Sequence, residues 1–159
     1  MYIYRCLIIL LCLFLYNCSA SYEKINKNEY SIDQNFSGFL FEAYKKKADF
    51  EALEMHDWNS AKLYSEKAIS AMDGNNILPQ KISYWNISEE NKFELNKSYI
   101  NLMSVYEDAI SLDPFNLAKA ISSLDCWSEQ LEESWQTWDI NKCRDDFLSA
   151  LHNIYNHIN

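Results

Sequence analysis

Apolar residues recur at helical spacing from Phe36 to the C-terminus, in a chain of 159 residues that holds only two glycines and two prolines. Sheets built from short strands need frequent tight turns, which Gly and Pro supply, so this scarcity argues against a sandwich or barrel. Isolated Gly38 and Gly74 can write neither GxGxxG nor GxxxxGK[ST], which excludes the Gly-rich phosphate cradles of nucleotide-binding α/β domains. Strict apolar/polar alternation persists nowhere. The expected class is all-α: about five amphipathic helices in antiparallel hairpins.

The first segment, about 36–55, places Phe36, Phe39, Leu40, Ala43 and Phe50 on one face, with Lys47 inside the stripe and its ammonium expected to reach water. The second begins at Asp57 as N-cap, carries Ala61, Tyr64, Ala68 and Met72, and ends at Asp73-Gly74. The third, about 89–112, has Leu95, Tyr99, Leu102, Tyr106 and Ala109 in a stripe. Asp113-Pro114 stops it and starts the fourth, with Asp as cap and Pro at the first helical position. The fourth shows Leu117, Ala120, Leu124, Trp127 and Leu131, and the fifth Ile140, Cys143, Phe147, Leu151 and Ile154. Asp57-Trp58-Asn59-Ser60-Ala61 with Ala68, and Tyr106 to Pro114, look like fragments of tetratricopeptide repeats. They stand about 41 residues apart rather than 34, which points to tetratricopeptide-like packing and not to a full array.

Ahead of the helical part lies an address. Residues 6–16 form an unbroken apolar run preceded by Arg5, the pattern of an export signal and too short for a membrane span. Leu15-Tyr16-Asn17-Cys18 resembles a bacterial lipobox, with Asn17 in place of the usual small residue. Residues 1–17 are thus read as a lipoprotein signal peptide and Cys18 as the lipidation site; the alternative is ordinary cleavage after Ala20. Residues 18–35 are polar, Asn-rich and aperiodic, and are read as a flexible tether before a helical domain at 36–159.

Five cysteines are present. Cys6 and Cys12 belong to the signal, and Cys18 to the lipobox, which leaves Cys126 and Cys143. These two lie symmetrically about Glu133-Ser134-Trp135-Gln136, the natural break between the fourth and fifth segments, so an antiparallel hairpin brings them level. In an oxidising compartment they are expected to form a disulfide; in a reducing cytosol they would be two buried thiols. On a helical wheel Cys126 points about 140° from the Leu124/Trp127/Leu131 stripe, so the bond requires the fourth helix to lie between the fifth and the rest of the core. Two cysteines alone do not make a metal site, and no histidine stands at ligand spacing beside them.

A net charge of −9 disfavours nucleic acid and anionic lipid headgroups as partners. The three histidines, His56, His152 and His157, carry no sign of a catalytic set: His56 reads as a helix-end charge and the other two as part of a frayed terminus. Glu54 with Asp57, Glu89 with Glu90, and Glu132 with Glu133 read as solvated faces. Trp58, Trp85, Trp127, Trp135 and Trp138 read as rings that fill a small core and seal its loops, the competing reading being a concave aromatic-acidic surface for a peptide. No enzyme activity, cofactor or small-molecule substrate is expected.

Phe50-Glu51 to Met55, Asp57-Trp58, Ala61, Lys67-Ala68, Trp85, the string from Leu124 to Glu133, and Ile140 to Cys143-Arg144 with Phe147 resemble the helical N-terminal region of proteobacterial OmpA-type outer-membrane lipoproteins. The similarity covers about residues 36–154, and the peptidoglycan-binding domain of that family has no counterpart in this sequence. It implies a helical module on the periplasmic face of the outer membrane, with Cys18 acylated, Cys126 bonded to Cys143, the membrane met through acyl chains, and envelope proteins as partners. Ser19 is compatible with that sorting. The alternatives are a soluble periplasmic location and a peptide-binding adaptor built on tetratricopeptide-like helices.

Overall fold

The computed structural model describes residues 20–27, 33–75 and 77–158, and among these every regular element is helical. Five long helices carry the fold: α1 (Phe36–Phe50), α2 (Trp58–Met72), α3 (Glu89–Leu112), α4 (Pro114–Glu133) and α5 (Thr137–Ile158). A π-helical turn, Glu51–Met55, extends α1, and a 3-10 turn, Ile82–Tyr84, lies between α2 and α3. The signal peptide and Cys18 fall outside the described residues.

The helix ends follow from local chemistry. Asn35 Oδ1 accepts from the Gly38 amide at 3.0 Å, and Asp57 Oδ1 accepts from the amides of Asn59 and Ser60 at 2.8 and 3.2 Å. Gly74 takes φ 79° behind α2, a left-handed angle that suits glycine. Ser88 caps α3, whose first turn holds Glu89 and Glu90 against the positive end of the helix dipole. Asp113 ends α3 and caps α4, with Pro114 at the first helical position. Expected and observed boundaries agree for α2, α3 and α4.

Hydrogen bonds fix the directions. His157 to Asp113 and Asn153 to Asn116 join the end of α5 to the start of α4, so these two form an antiparallel hairpin. Tyr44 stacks on Tyr64 across the antiparallel α1–α2 pair, while Phe39 meets Phe115 and Lys47 meets Cys126, which sets α1 parallel to α4. Helix α4 is the axis: it packs against α1, α3 and α5, and every residue from Ala120 to Gln130 is buried. Its side chains Leu117, Ile121, Leu124 and Trp127 are at most 2% exposed, and burial of each stabilises the fold by about 2 kcal/mol.

A helix buried all round must satisfy its polar residues internally. Asp125 accepts from Tyr44 Oη at 2.7 Å, from the Gln80 amide at 2.6 Å, and from Lys67 Nζ. Ser122 and Ser128 donate to carbonyls one turn back, Lys119 O and Leu124 O. Helix α5 lies on the Cys126 side of α4, as the bond requires, but it also packs directly on α3, where Arg144 pairs with Glu94 at 2.9 Å; the Cys126–Cys143 disulfide joins α4 and α5 with Cα atoms 5.7 Å apart.

Three expectations need correction. The stretch read as a tether contains helical residues 20–27, in which Ile25 is 1% exposed and Tyr22 donates to Asp49 at 3.0 Å and meets Trp58 edge-on. One apolar pair three residues apart is too little periodicity to announce a helix, and packing on α1 and α2 supplies what the local sequence lacks. The first segment is not one helix to residue 55, because its last turn widens to π geometry and ends at left-handed His56. The Lys47 ammonium, rather than reaching out to water, lies 2.9 Å from Cys126 Sγ, and burial pulls it down to about 8.

Candidate functional site

Two constellations stand apart from the packing. The first lies where the π turn after α1, the start of α2 and the end of α4 converge. Asp57 is there as the N-cap of α2; Glu129 and Glu133, one turn apart on α4, share a face. One carboxylate oxygen from each of the three lies within 4.8 Å of the others. Glu51 belongs to the same region. It is 0% exposed, neither of its carboxyl oxygens has a hydrogen-bond partner, and the charges it feels most strongly are those of Glu129, Glu133 and Asp57.

Burial first, and these neighbouring carboxylates second, push Glu51 up to about 9. Glu129 is pushed up to about 7 by its burial and by Glu133 and Asp57, against hydrogen bonds from Ser60 Oγ and Gln130 Nε2, each at 2.8 Å. Glu133 is raised by burial first and then by Asp57 and Asp139, against the hydrogen bond its Oε2 accepts from Trp135 Nε1 at 3.3 Å. The Tyr64 hydroxyl, 0% exposed and without a partner, is raised by burial and then by the charge of Glu129.

The second constellation is a groove of about 490 Å³ between α1, α4 and α5. Phe39, Phe50, Phe115 and Trp138 make its apolar walls, and the disulfide lies on its lining. Lys46, Lys47, Lys119 and Lys142 come to it from three helices. Lys119 and Lys142 both pair with Asp146, at 3.2 and 2.9 Å, whereas Lys46 is exposed and has no ion-pair partner among the described residues. Glu42, Asp139 and Asp146 line the groove as well, so it is of mixed charge, and of the tryptophans weighed from the sequence as a concave surface only Trp138 lines it.

The structure distributes the residues singled out from the sequence as follows. Cys126 and Cys143 are bonded and 4% and 5% exposed. His56 is an exposed left-handed residue at φ 57°, and His152 bonds Asn156. His157 is not part of a frayed end, since its Nδ1 lies 2.5 Å from Asp113 Oδ2. Of the carboxylate pairs, Glu89 binds Lys92, Glu54 is exposed, and Glu132 accepts from the Asn86 amide at 2.6 Å. Asp57 and Glu133 do meet, but with each other and with Glu129, which no adjacent pairing announces. The i, i+4 spacing of Glu129 and Glu133 was the one available signal. Among the tryptophans, Trp127 and Trp85 fill the core at 2% and 3% exposure, while Trp58, Trp135 and Trp138 are exposed. None of the described helices is long and apolar enough to cross a membrane. Compared with family models, curated proteins and solved structures, the chain matches none.

Proposed function

We propose that this protein is an exported, non-catalytic module of the cell envelope, held at the periplasmic face of an outer membrane through acylated Cys18, and that it works by contact with envelope proteins. The observation that carries this reading is the Cys126–Cys143 bond at the centre of the fold, because such bonds persist in oxidising compartments and are rare in the cytosol. The apolar run behind Arg5, the Leu15 to Cys18 box, and the similarity of Leu124–Glu133 and Ile140–Arg144 to OmpA-type lipoproteins support the same address. Metabolic labelling with palmitate in a bacterial host tests it. Label should enter the wild type and be lost in Cys18→Ser, and globomycin should trap the longer precursor; an unlabelled wild type, or equal label in both, would refute the anchor.

A second reading, a soluble periplasmic peptide-binding adaptor with tetratricopeptide-like helices, is favoured by the groove alone. Aromatic walls with the exposed Lys46, unpaired among the described residues, in the lining suit a segment that carries apolar side chains and an acid placed to meet that lysine. Affinity capture from envelope extract should then recover a partner with the wild type and not with Lys46→Glu. Equal recovery by the two proteins would exclude the groove as the contact.

A further inference from the structure

Four acids from three separate elements gather here, and the repulsion among them is relieved either by protons on the carboxyls or by a cation between them. Asp57 is fixed by two amide donors, Glu129 by Ser60 and Gln130, and Glu133 by the Trp135 indole, so each side chain is oriented before any ligand arrives. Both amides bond Asp57 Oδ1, which leaves Oδ2 outside these bonds, and each bonded oxygen of Glu129 and Glu133 accepts one of them and keeps a second lone pair. A hard cation with ligands at about 2.3–2.6 Å separates opposed oxygens by at most about 5 Å, so oxygens within 4.8 Å of one another can all reach one ion.

An acidic cluster alone would not require an ion. Glu51 supplies the independent observation: it is 0% exposed, both its carboxyl oxygens lack any hydrogen-bond partner, and its carbonyl accepts the Asp57 amide at 2.9 Å, which places it beside the cluster. The Tyr64 hydroxyl, equally buried and unpartnered, feels Glu129 most strongly among its charged neighbours. Buried polar side chains are rarely left without partners. A carboxyl with both oxygens unpartnered, next to three convergent carboxylates, marks a place suited to a ligand that accepts oxygen lone pairs.

We infer that Asp57, Glu129 and Glu133 bind one hard divalent cation of the Ca²⁺ class, next to the buried and unpartnered Glu51 carboxyl. The choice of class follows from the donor set, which is all oxygen; zinc and copper sites favour imidazole and thiolate. The ion would tie the π turn, the α2 N-terminus and the α4 C-terminus together. It is independent of the lipid anchor and of the groove.

The test uses Tb³⁺ and Ca²⁺ titrated into chelator-treated protein. Trp135 donates to Glu133 and Trp58 follows Asp57, so Tb³⁺ in the site should emit on tryptophan excitation. One saturable equivalent displaced by Ca²⁺ is expected, with affinity weakened about tenfold or more in Glu129→Gln and in Glu133→Gln. Both variants relieve repulsion and should fold, as circular dichroism would verify, and Ca²⁺ should raise the unfolding temperature of the wild type and not of these two variants. Glu132→Gln, whose carboxylate serves Asn86 instead, should bind as the wild type does. No saturable emission from the wild type, or undiminished affinity in both glutamine variants, would overturn the site.

Discussion

Asp113 has three duties on one carboxylate: it caps α4 through the Asn116 amide at 3.2 Å, accepts from Asn116 Nδ2 at 2.8 Å, and holds His157 at the far end of α5. Burial alone would raise its carboxyl, but the hydrogen bonds from His157 and from the Asn116 side chain and backbone outweigh that and hold it below its ordinary value. A carboxyl depressed in the folded state contributes stability that is complete above the unfolded value of 3.8 and is lost as pH falls through the lower folded value. Asp113→Asn keeps a capping oxygen and drops the charge. It should cost about 1 kcal/mol at neutral pH, and urea midpoints across a pH series should show the gap to the wild type closing only in strong acid. The capping role of Asp113 was legible from Asp-Pro at a change of helical phase. Its bond to His157 was not, since that contact spans 44 residues and depends on where the hairpin closes.

At the scale of elements, caps read well from sequence because their chemistry is local, and elements that depend on a partner do not. Asp57, Asp113-Pro114 and Asp73-Gly74 mark helix ends by their own side chains or backbone freedom. The π turn at Glu51–Met55 has no such mark, and its outcome is a left-handed His56. A similar left-handed residue, Ser134 at φ 58°, ends α4. Replacing either by glycine removes the Cβ penalty at that angle, and each of His56→Gly and Ser134→Gly should stabilise by about 0.5–1 kcal/mol in chemical denaturation. The polar side of α4 makes the opposite point. Lys67 and Asp125 are 11% and 1% exposed as side chains, and Asp125 binds two further donors. Lys67→Met leaves a buried carboxylate uncompensated and should cost about 3 kcal/mol. Asp125→Asn added to that variant should restore part of the loss, which a double-mutant cycle would measure; strict additivity would show that the pair is not coupled.

For the whole molecule, the decisive fact is that α4 is enclosed by the other helices. Its sequence shows one apolar stripe and a polar remainder, which normally faces water. Here Ser122, Ser123, Asp125, Ser128, Glu129 and Gln130 are buried as well. Helical spacing therefore gave the class and the hairpin, but not that the polar face of α4 would meet α1, α2 and the segment before α3, nor that the acids there would gather from three elements. The cysteines were the exception, because symmetry about one turn is a long-range statement that spacing can make. Cys126 and Cys143 close 17 residues and tie α5 to the enclosed helix. Removing the bond restores loop freedom to the unfolded chain, a loss of about 3 kcal/mol in the chain-entropy description. Because α5 packs mainly on α4 and caps it through His157 to Asp113, loosening α5 should also expose Trp127 and Phe147, whose rings lie 6.1 Å apart in the core. The oxidised protein should be lighter than the reduced one by two hydrogens. Reduction, or Cys126→Ala with Cys143→Ala, should lower the urea midpoint and let α5 amides exchange hydrogen before those of α1 and α2. Uniform acceleration across all five helices would mean that the bond guards the entire core rather than the docking of α5.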